Sequence, residues 1–251
     1  MVFAGCAKVP FTGRSALMLM SKEQEIAMGD EAYAQLLKES KIAGEGNEVK
    51  NRDAALIKKV GEKIAAIADK PEYKWEFVLI DDSSTVNAFC LPGGKVAFYT
   101  GILPLCADEN GIAVVMSHEI GHAVARHGAE RMSQGMLADA AGQVLANVVH
   151  ATSTARGSVI MNAYGLATNL GVMLPFSRQH EYEADFIGIC LMAKAGYDPS
   201  AALGFWKRMS ELSKGNIPEF LSTHPSDEKR VAEIERRLPE ALKFGTTGTH
   251  R

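Results

Sequence analysis

The chain offers no uninterrupted apolar stretch of the length a membrane-spanning helix needs, about twenty residues. Even the Ala-, Gly-, Met- and Val-rich segment 129–175 is broken by Asp139, Gln143, Asn147, His150 and Arg156, so no transmembrane helix is expected. Charge of one sign is not in excess either. The 27 Lys and Arg stand against 30 Asp and Glu, a net charge of −3, which favours no polyanionic partner and excludes DNA and RNA as expected ligands. Cysteine is scarce. Cys6, Cys90, Cys106 and Cys190 are scattered, with neither the close pairing of a zinc knuckle or redox dithiol nor the density of a disulfide scaffold. Internal repeats and low-complexity segments are absent too. What is plentiful is apolar matter: 47% hydrophobic residues in a chain of 251, enough to bury one substantial core rather than two.

Local patterns place the elements. Ser21 and Gln24 have capping-box spacing, and Ile26, Tyr33, Leu36 and Leu37 follow at helical intervals, predicting a helix over 21–39. Leu56, Val60, Ile64 and Ile67 mark a second helix that ends before Pro71. Trp75, Phe77 and Leu79 alternate as in a strand, and the extended stretch 86–99 is broken by Pro92-Gly93-Gly94 into a hairpin. From Asp108 the pattern is helical again, with Ile112, Val115 and Met116 leading into a motif, and from Ile112 no Gly or Pro interrupts until Gly121. Segment 129–175 is read as amphipathic helix packing, with a lid or membrane-facing flap as the alternative. A further helix carries Glu181 to Lys194 and stops at Gly196, with Pro199 beyond. Helices over about 199–213 and 226–243 complete a mostly helical α+β fold with a small sheet beside the motif helix.

The motif is His118-Glu119-Ile120-Gly121-His122. Imidazoles four residues apart project from one helical face, one turn apart, toward a single ion, and zinc takes such a pair. Glu119 lies about 100° around the helix from His118. From there its carboxylate can take a proton from an attacking water without being a ligand, the place of a general base.

A catalytic zinc needs a third protein ligand and one open position. On a continuing helix His127 would point about 180° away from His118 and reach the ion only if the chain turned sharply before it, so it is expected to be a surface or capping residue. The metzincin positions for glycine and a third histidine hold Ala125 and Gly128, which excludes that class. Glu181 is the better candidate, because Asp185 one turn on shares its face and can accept the free ring N–H of a ligand histidine. Glu183 competes, but it sits about 200° from Glu181 and has Ile187 at i+4.

His-Glu-Ile-Gly-His, then Ser177-Arg178-Gln179-His180-Glu181-Tyr182-Glu183-Ala184-Asp185-Phe186-Ile187-Gly188, then Thr223-His224-Pro225-Ser226-Asp227 together resemble the HtpX and CAAX-prenyl-protease type of zinc endopeptidase, in its small bacterial periplasmic lipoprotein branch. The resemblance implies a gluzincin fold with one Zn2+ on His118, His122 and Glu181. It also implies that His224 lies near the ion, to hydrogen-bond the oxyanion or occupy the open position transiently, with Arg230 supporting it. Asn87-Ala88-Phe89 with Pro92-Gly93-Gly94 resembles the strand before the motif, with Asn87 and Ala88 expected to bind substrate, and the segment Lys95 to Tyr99, including Val96 and Ala97, is expected either as an edge strand on which an extended peptide pairs by backbone hydrogen bonds or as a plain core hairpin strand.

Val2-Phe3-Ala4-Gly5-Cys6 resembles the end of a lipoprotein signal, although no basic and apolar leader precedes it. Residues 1–20 are therefore expected to be a signal remnant and tail, and 21–251 one peptidase domain. A lipidated Cys6 would hold the protein at the outer membrane from the periplasmic side. The resemblance implies polypeptide substrates, soluble or unfolded. The rival readings are a latent peptidase and a non-catalytic zinc-containing chaperone or assembly factor.

Overall fold

A computed structural model describes residues 5–44, 47–152, 174–212, 218–224 and 228–246. The motif helix organises it. Asp108 caps this helix by accepting from the Gly111 N–H at 2.9 Å, and the helix α4 (Glu109–Ala125) is buried on every side from Gly111 to Ala125. Its apolar residues leave no face for water, so the helix needs partners all round. They include α2 (Glu48–Ala65), the strand β4 (Ala88–Leu91), the short helix α3 (Leu103–Cys106) just ahead of it, and the helices α6 (Leu174–Ala195) and α7 (Ala201–Leu212).

The most extensive of these contacts is with α6. A Cβ at Gly121 would stand 2.8 Å from the Ala184 carbonyl oxygen, and one at Gly188 would stand 3.2 Å from the His118 amide nitrogen. Each helix thus sets a glycine against the other's backbone, and the approach presents Glu181 and Asp185 to His118 and His122. Pro175 sits in the first turn of α6, where its missing N–H costs nothing.

Ahead of the motif helix, α1 (Lys22–Glu39) starts with the expected capping box, in which Ser21 and Gln24 each satisfy the other's backbone N–H. Asn47 caps α2, accepting from Val49 and Lys50. Strands β3 (Glu76–Ile80), β4 and β5 (Lys95–Tyr99) form a sheet in the order β3-β5-β4. The hairpin turn between β4 and β5 uses Gly93 and Gly94 at φ of 84° and 87°, a region glycine enters without steric cost. Here one expectation is corrected. Lys95, Val96 and Ala97 do not lie on an edge: β5 is the central strand, parallel to β3 and antiparallel to β4. Its pairing groups are used on both sides, and the Lys95 ammonium is turned inward to Glu76 at 2.6 Å and the Lys74 carbonyl at 2.9 Å. The edge beside the motif helix is β4.

The N-terminal segment also departs from expectation. Residues 5–18 are not a tail but an antiparallel hairpin of β1 (Gly5–Lys8) and β2 (Ser15–Met18), with Val9, Ala16 and Met18 buried in the core. It packs on α5 (His127–Thr152), whose Ser133 hydroxyl accepts from the Leu19 N–H at 2.9 Å. Helix α5 exposes Met136, Leu137 and Val144. The rest of the segment read as a packed helix or flap, 153–173, lies outside the described residues. Among the described residues no helix is long and apolar enough to cross a membrane. The chain closes with α8 (Glu219–Thr223) and α9 (Glu228–Thr246).

The glycine-mediated crossing is testable. Gly121→Ala should destabilise by about 1–3 kcal/mol through overpacking, lowering Tm by roughly 2–10 °C for a chain of this size. An unchanged Tm would mean the two helices separate at no cost.

Candidate metal centre

Four side chains from three parts of the chain converge at the crossing. His118 Nε2 and His122 Nε2 lie 3.2 Å apart. Glu181 places Oε2 3.3 Å from the first and Oε1 3.4 Å from the second. His224, directly after α8, brings Nδ1 to 3.3 Å from His118 Nε2 and 3.0 Å from Glu181 Oε2. One donor atom from each of the four falls within 4.8 Å of all the others. Donors around a zinc at about 2.0–2.1 Å in tetrahedral array would stand about 3.3–3.4 Å apart, and His118 Nε2 lies 3.2–3.3 Å from His122 Nε2, Glu181 Oε2 and His224 Nδ1.

Charge makes the same demand. Glu119, Glu181, Asp185 and Arg230 are all buried, at 2%, 3%, 5% and 1% exposure. With the imidazoles neutral, as metal binding requires, three carboxylates against one guanidinium leave two negative charges uncompensated in a setting where unpaired charge is costly, and a divalent cation cancels both. The donor set and the charge therefore both fit zinc.

Around the four donors stands a supporting layer. His118 Nδ1 donates to Asp185 Oδ1 at 2.9 Å, fixing the ring so that Nε2 faces the site. Arg230 then grips Asp185 with Nε at 2.5 Å and a second nitrogen at 2.9 Å. It reaches Glu181 at 3.2 Å and the His224 carbonyl at 3.4 Å, and stacks its guanidinium 3.5 Å from the centre of the Trp206 ring. One arginine thus ties Glu181, the carboxylate that orients His118 and the His224 backbone together. Burial depresses His118, but hydrogen bonds to Asp185 and Glu181 outweigh it and lift the imidazole to about 9.

Glu119 is differently placed. Its Oε1 is buried without a hydrogen-bond partner among the described residues, and His224 Nε2 lies 3.5 Å from it. Burial pushes this carboxyl upward, with His224 and His118 pulling it back.

His127 departs from its expected surface or capping role. It is fully buried, with Nδ1 2.9 Å from His122 Nδ1 and Nε2 3.0 Å from Glu183 Oε2. The helix does not continue past the motif: Arg126 adopts the left-handed conformation at φ 60°, ψ 37°, and the chain turns there. Arg126 is held by hydrogen bonds to Glu25 and the Met20 carbonyl. No glycine or proline marks the corner, so the sequence carries no signal for it. Glu183, the rival ligand, faces away from the four donors and supports His127 instead.

Of the residues expected to bind substrate, Asn87 is engaged structurally. Its side-chain amide donates to Glu219 Oε1 at 3.1 Å, and its carbonyl oxygen accepts from the Ala88 N–H at 2.9 Å. Together with the Phe220 N–H, which donates to the Val86 carbonyl at 3.0 Å, this pins α8, and hence His224, beside the start of β4. Lys95, Val96 and Ala97 lie inside the sheet.

Comparison with known proteins agrees with this geometry. The profile described as "Peptidase family M48" matches residues 51–238. The chain is 39% identical over 236 residues to "Mitochondrial metalloendopeptidase OMA1" of Schizosaccharomyces pombe, covering 93% of this chain and 66% of the relative. It is 31% identical to the Saccharomyces cerevisiae protein of the same name, with 96% and 74% covered, and 29% identical to "Beta-barrel assembly-enhancing protease" of Escherichia coli, with 91% and 47% covered. The chain therefore spans about two thirds to three quarters of the yeast relatives and under half of the bacterial one. These likenesses carry the resemblance at the level of the family and not its HtpX and CAAX-prenyl-protease branch.

Metal uptake should be coupled to protons. A ligand imidazole must be neutral to bind, and His118 free of metal holds its proton up to about pH 9. Zinc binding near pH 7 should release about one proton, and affinity should weaken as the pH falls below 9. Calorimetry in buffers of different ionisation enthalpy measures the release, and a result of zero would show His118 already deprotonated.

Proposed function

The chain belongs to peptidase family M48, a zinc-dependent metalloendopeptidase family, and on that premise we propose that it hydrolyses unfolded or misfolded polypeptides in the bacterial cell envelope. His118, His122 and Glu181 would hold the zinc, with Asp185 and Arg230 fixing the ligands. Bound there, zinc supplies a Lewis acid that polarises the scissile carbonyl and acidifies water. The rest is the work of side chains. Glu119 takes the proton of the attacking water on Oε1, the buried oxygen left without a hydrogen-bond partner among the described residues. Burial raises its proton affinity, so it keeps that proton and then delivers it to the leaving nitrogen.

The peptide would lie along the outer edge of β4, at Ala88–Leu91, since among the described residues no strand covers that side. Backbone pairing there tolerates varied side chains, which suits unfolded clients. The envelope location is supported by the lipoprotein-like residues around Cys6 and by the bacterial relative named for β-barrel assembly. Lipidation at Cys6 would anchor the protein to the outer membrane. Relatives named as mitochondrial make the compartment a matter for fractionation of the native cells.

One observation favours a latent form of this activity. His224 Nδ1 stands where a fourth donor would, 3.0–3.3 Å from Glu181 and His118, which is the place water needs. Cleavage then requires His224 to swing out, and a displaced ring that stays within hydrogen-bond reach would steady the oxyanion.

Two measurements test the reading. Glu119→Gln should keep one zinc per chain and lose cleavage of unfolded casein by at least about 100-fold, and chelation of the wild type should do the same. Full activity in the variant would remove Glu119 from its role, and zinc-loaded protein that never cuts casein would favour the chaperone reading. For latency, a small hydroxamate, which needs an open metal position, should bind His224→Ala at least about tenfold more tightly than wild type. Equal affinities would mean His224 does not occupy that position.

A further inference from the structure

Behind His122, on the side away from the donors, lies a second polar cluster. Arg14, in the turn of the N-terminal hairpin, forks across two carboxylates. One edge of its guanidinium meets Glu130 at 2.7 Å through two nitrogens, while Nε meets Glu183 at 2.8 Å. Thr12 also hydrogen-bonds Glu183. Each carboxylate carries a buried histidine: Glu183 holds His127 at 3.0 Å, and Glu130 holds His180 at 3.0 Å. The two imidazoles stack, with centroids 4.2 Å apart and planes 15° from parallel.

Hydrogen-bond accounting gives this cluster a direction. If His122 binds the ion through Nε2, its Nδ1 carries the proton and must donate; the atom 2.9 Å away is His127 Nδ1, which must accept. His127 then carries its own proton on Nε2 and donates it to Glu183. The line runs from His122 through His127 to Glu183 and ends on Arg14 and Thr12. It parallels the other ligand, where His118 donates directly to Asp185 and Arg230 grips that carboxylate. Each ligand imidazole is thus oriented by an acid that is itself held by an arginine. Arg14 and Thr12 lie outside the residues matched by the family profile, which begin at 51.

We propose that Arg14 is a positioning residue of the metal centre, holding Glu183 so that His127 fixes the ring and tautomer of His122. The N-terminal hairpin is on this account part of the zinc site. The inference rests on the reading of His122 as a ligand.

Zinc dissociation constants of the full chain, measured by competition with a chromophoric chelator, test it without reference to cleavage. Arg14→Ala and His127→Ala should each weaken zinc by about 10–100-fold, as losses of supporting partners do. The double variant should bind no more weakly than either single one, because both cut the same line. Arg14→Lys, which restores the charge but not the fork, should fall between wild type and Arg14→Ala. A general loosening of the hairpin would multiply the two losses instead, and that product, or an unchanged constant in Arg14→Ala, overturns the proposal. Should Arg14→Ala fail to fold, Thr12→Val in the same cycle with His127→Ala gives the same decision from a smaller, several-fold effect. His122→Ala separates the premise: zinc binding equal to wild type there sinks the ligand assignment, whereas its loss beside an additive cycle sinks only the role of Arg14.

Discussion

Two helices can share an ion only if their backbones come close enough for side chains as short as glutamate and histidine to meet. In this protein the approach is made by Gly121 and Gly188, each set against the backbone of the other helix. The crossing buries carboxylates from both helices, Glu119 from one and Glu181 and Asp185 from the other, at a point from which water is largely excluded. Apolar packing of α4 on every side drives the helices together, and a divalent cation is what makes the resulting charge tolerable. Core and metal centre are therefore one construction: weakening either loads the other with an unpaired group.

The arginines show what such burial demands. Arg230 is enclosed almost completely and meets two carboxylates, a carbonyl and the face of Trp206. Arg14 bridges two more carboxylates from a hairpin far away in sequence. Buried ion pairs of this kind add little net stability, because the desolvation of each partner offsets much of the attraction. Their planar forks do restrict geometry, since a guanidinium satisfied on several sides leaves its carboxylates one orientation. What orients the His118 and His122 rings is that restriction more than any strength of attraction.

Legibility in the sequence tracks the range of the interaction. The motif pair and the Glu181–Asp185 pair follow from helical periodicity, so the face each residue shares with its neighbour one turn away is legible in the chain itself. The capping box at Ser21 is equally local. What escapes such reading is set by tertiary contact. The central position of β5 depends on β3 pairing with it in parallel across a gap of fourteen residues, and alternation alone cannot choose between edge and centre. The hairpin at residues 5–18 is short, and its partners, Glu130 and Glu183, lie more than a hundred positions downstream. His127 escapes for one reason: helical spacing places a side chain only while the helix runs on, and Arg126 leaves it in a conformation that non-glycine residues seldom adopt.

That corner at Arg126 also sets a rule for chain length. His122 and His127 meet because four intervening residues carry the backbone out of one helix and into the next with a fixed rotation. One residue more or fewer would turn the second imidazole by about 100°, away from its neighbour. Insertions and deletions that a surface loop absorbs freely are thus forbidden between these two positions, and variation in length must fall elsewhere along the chain.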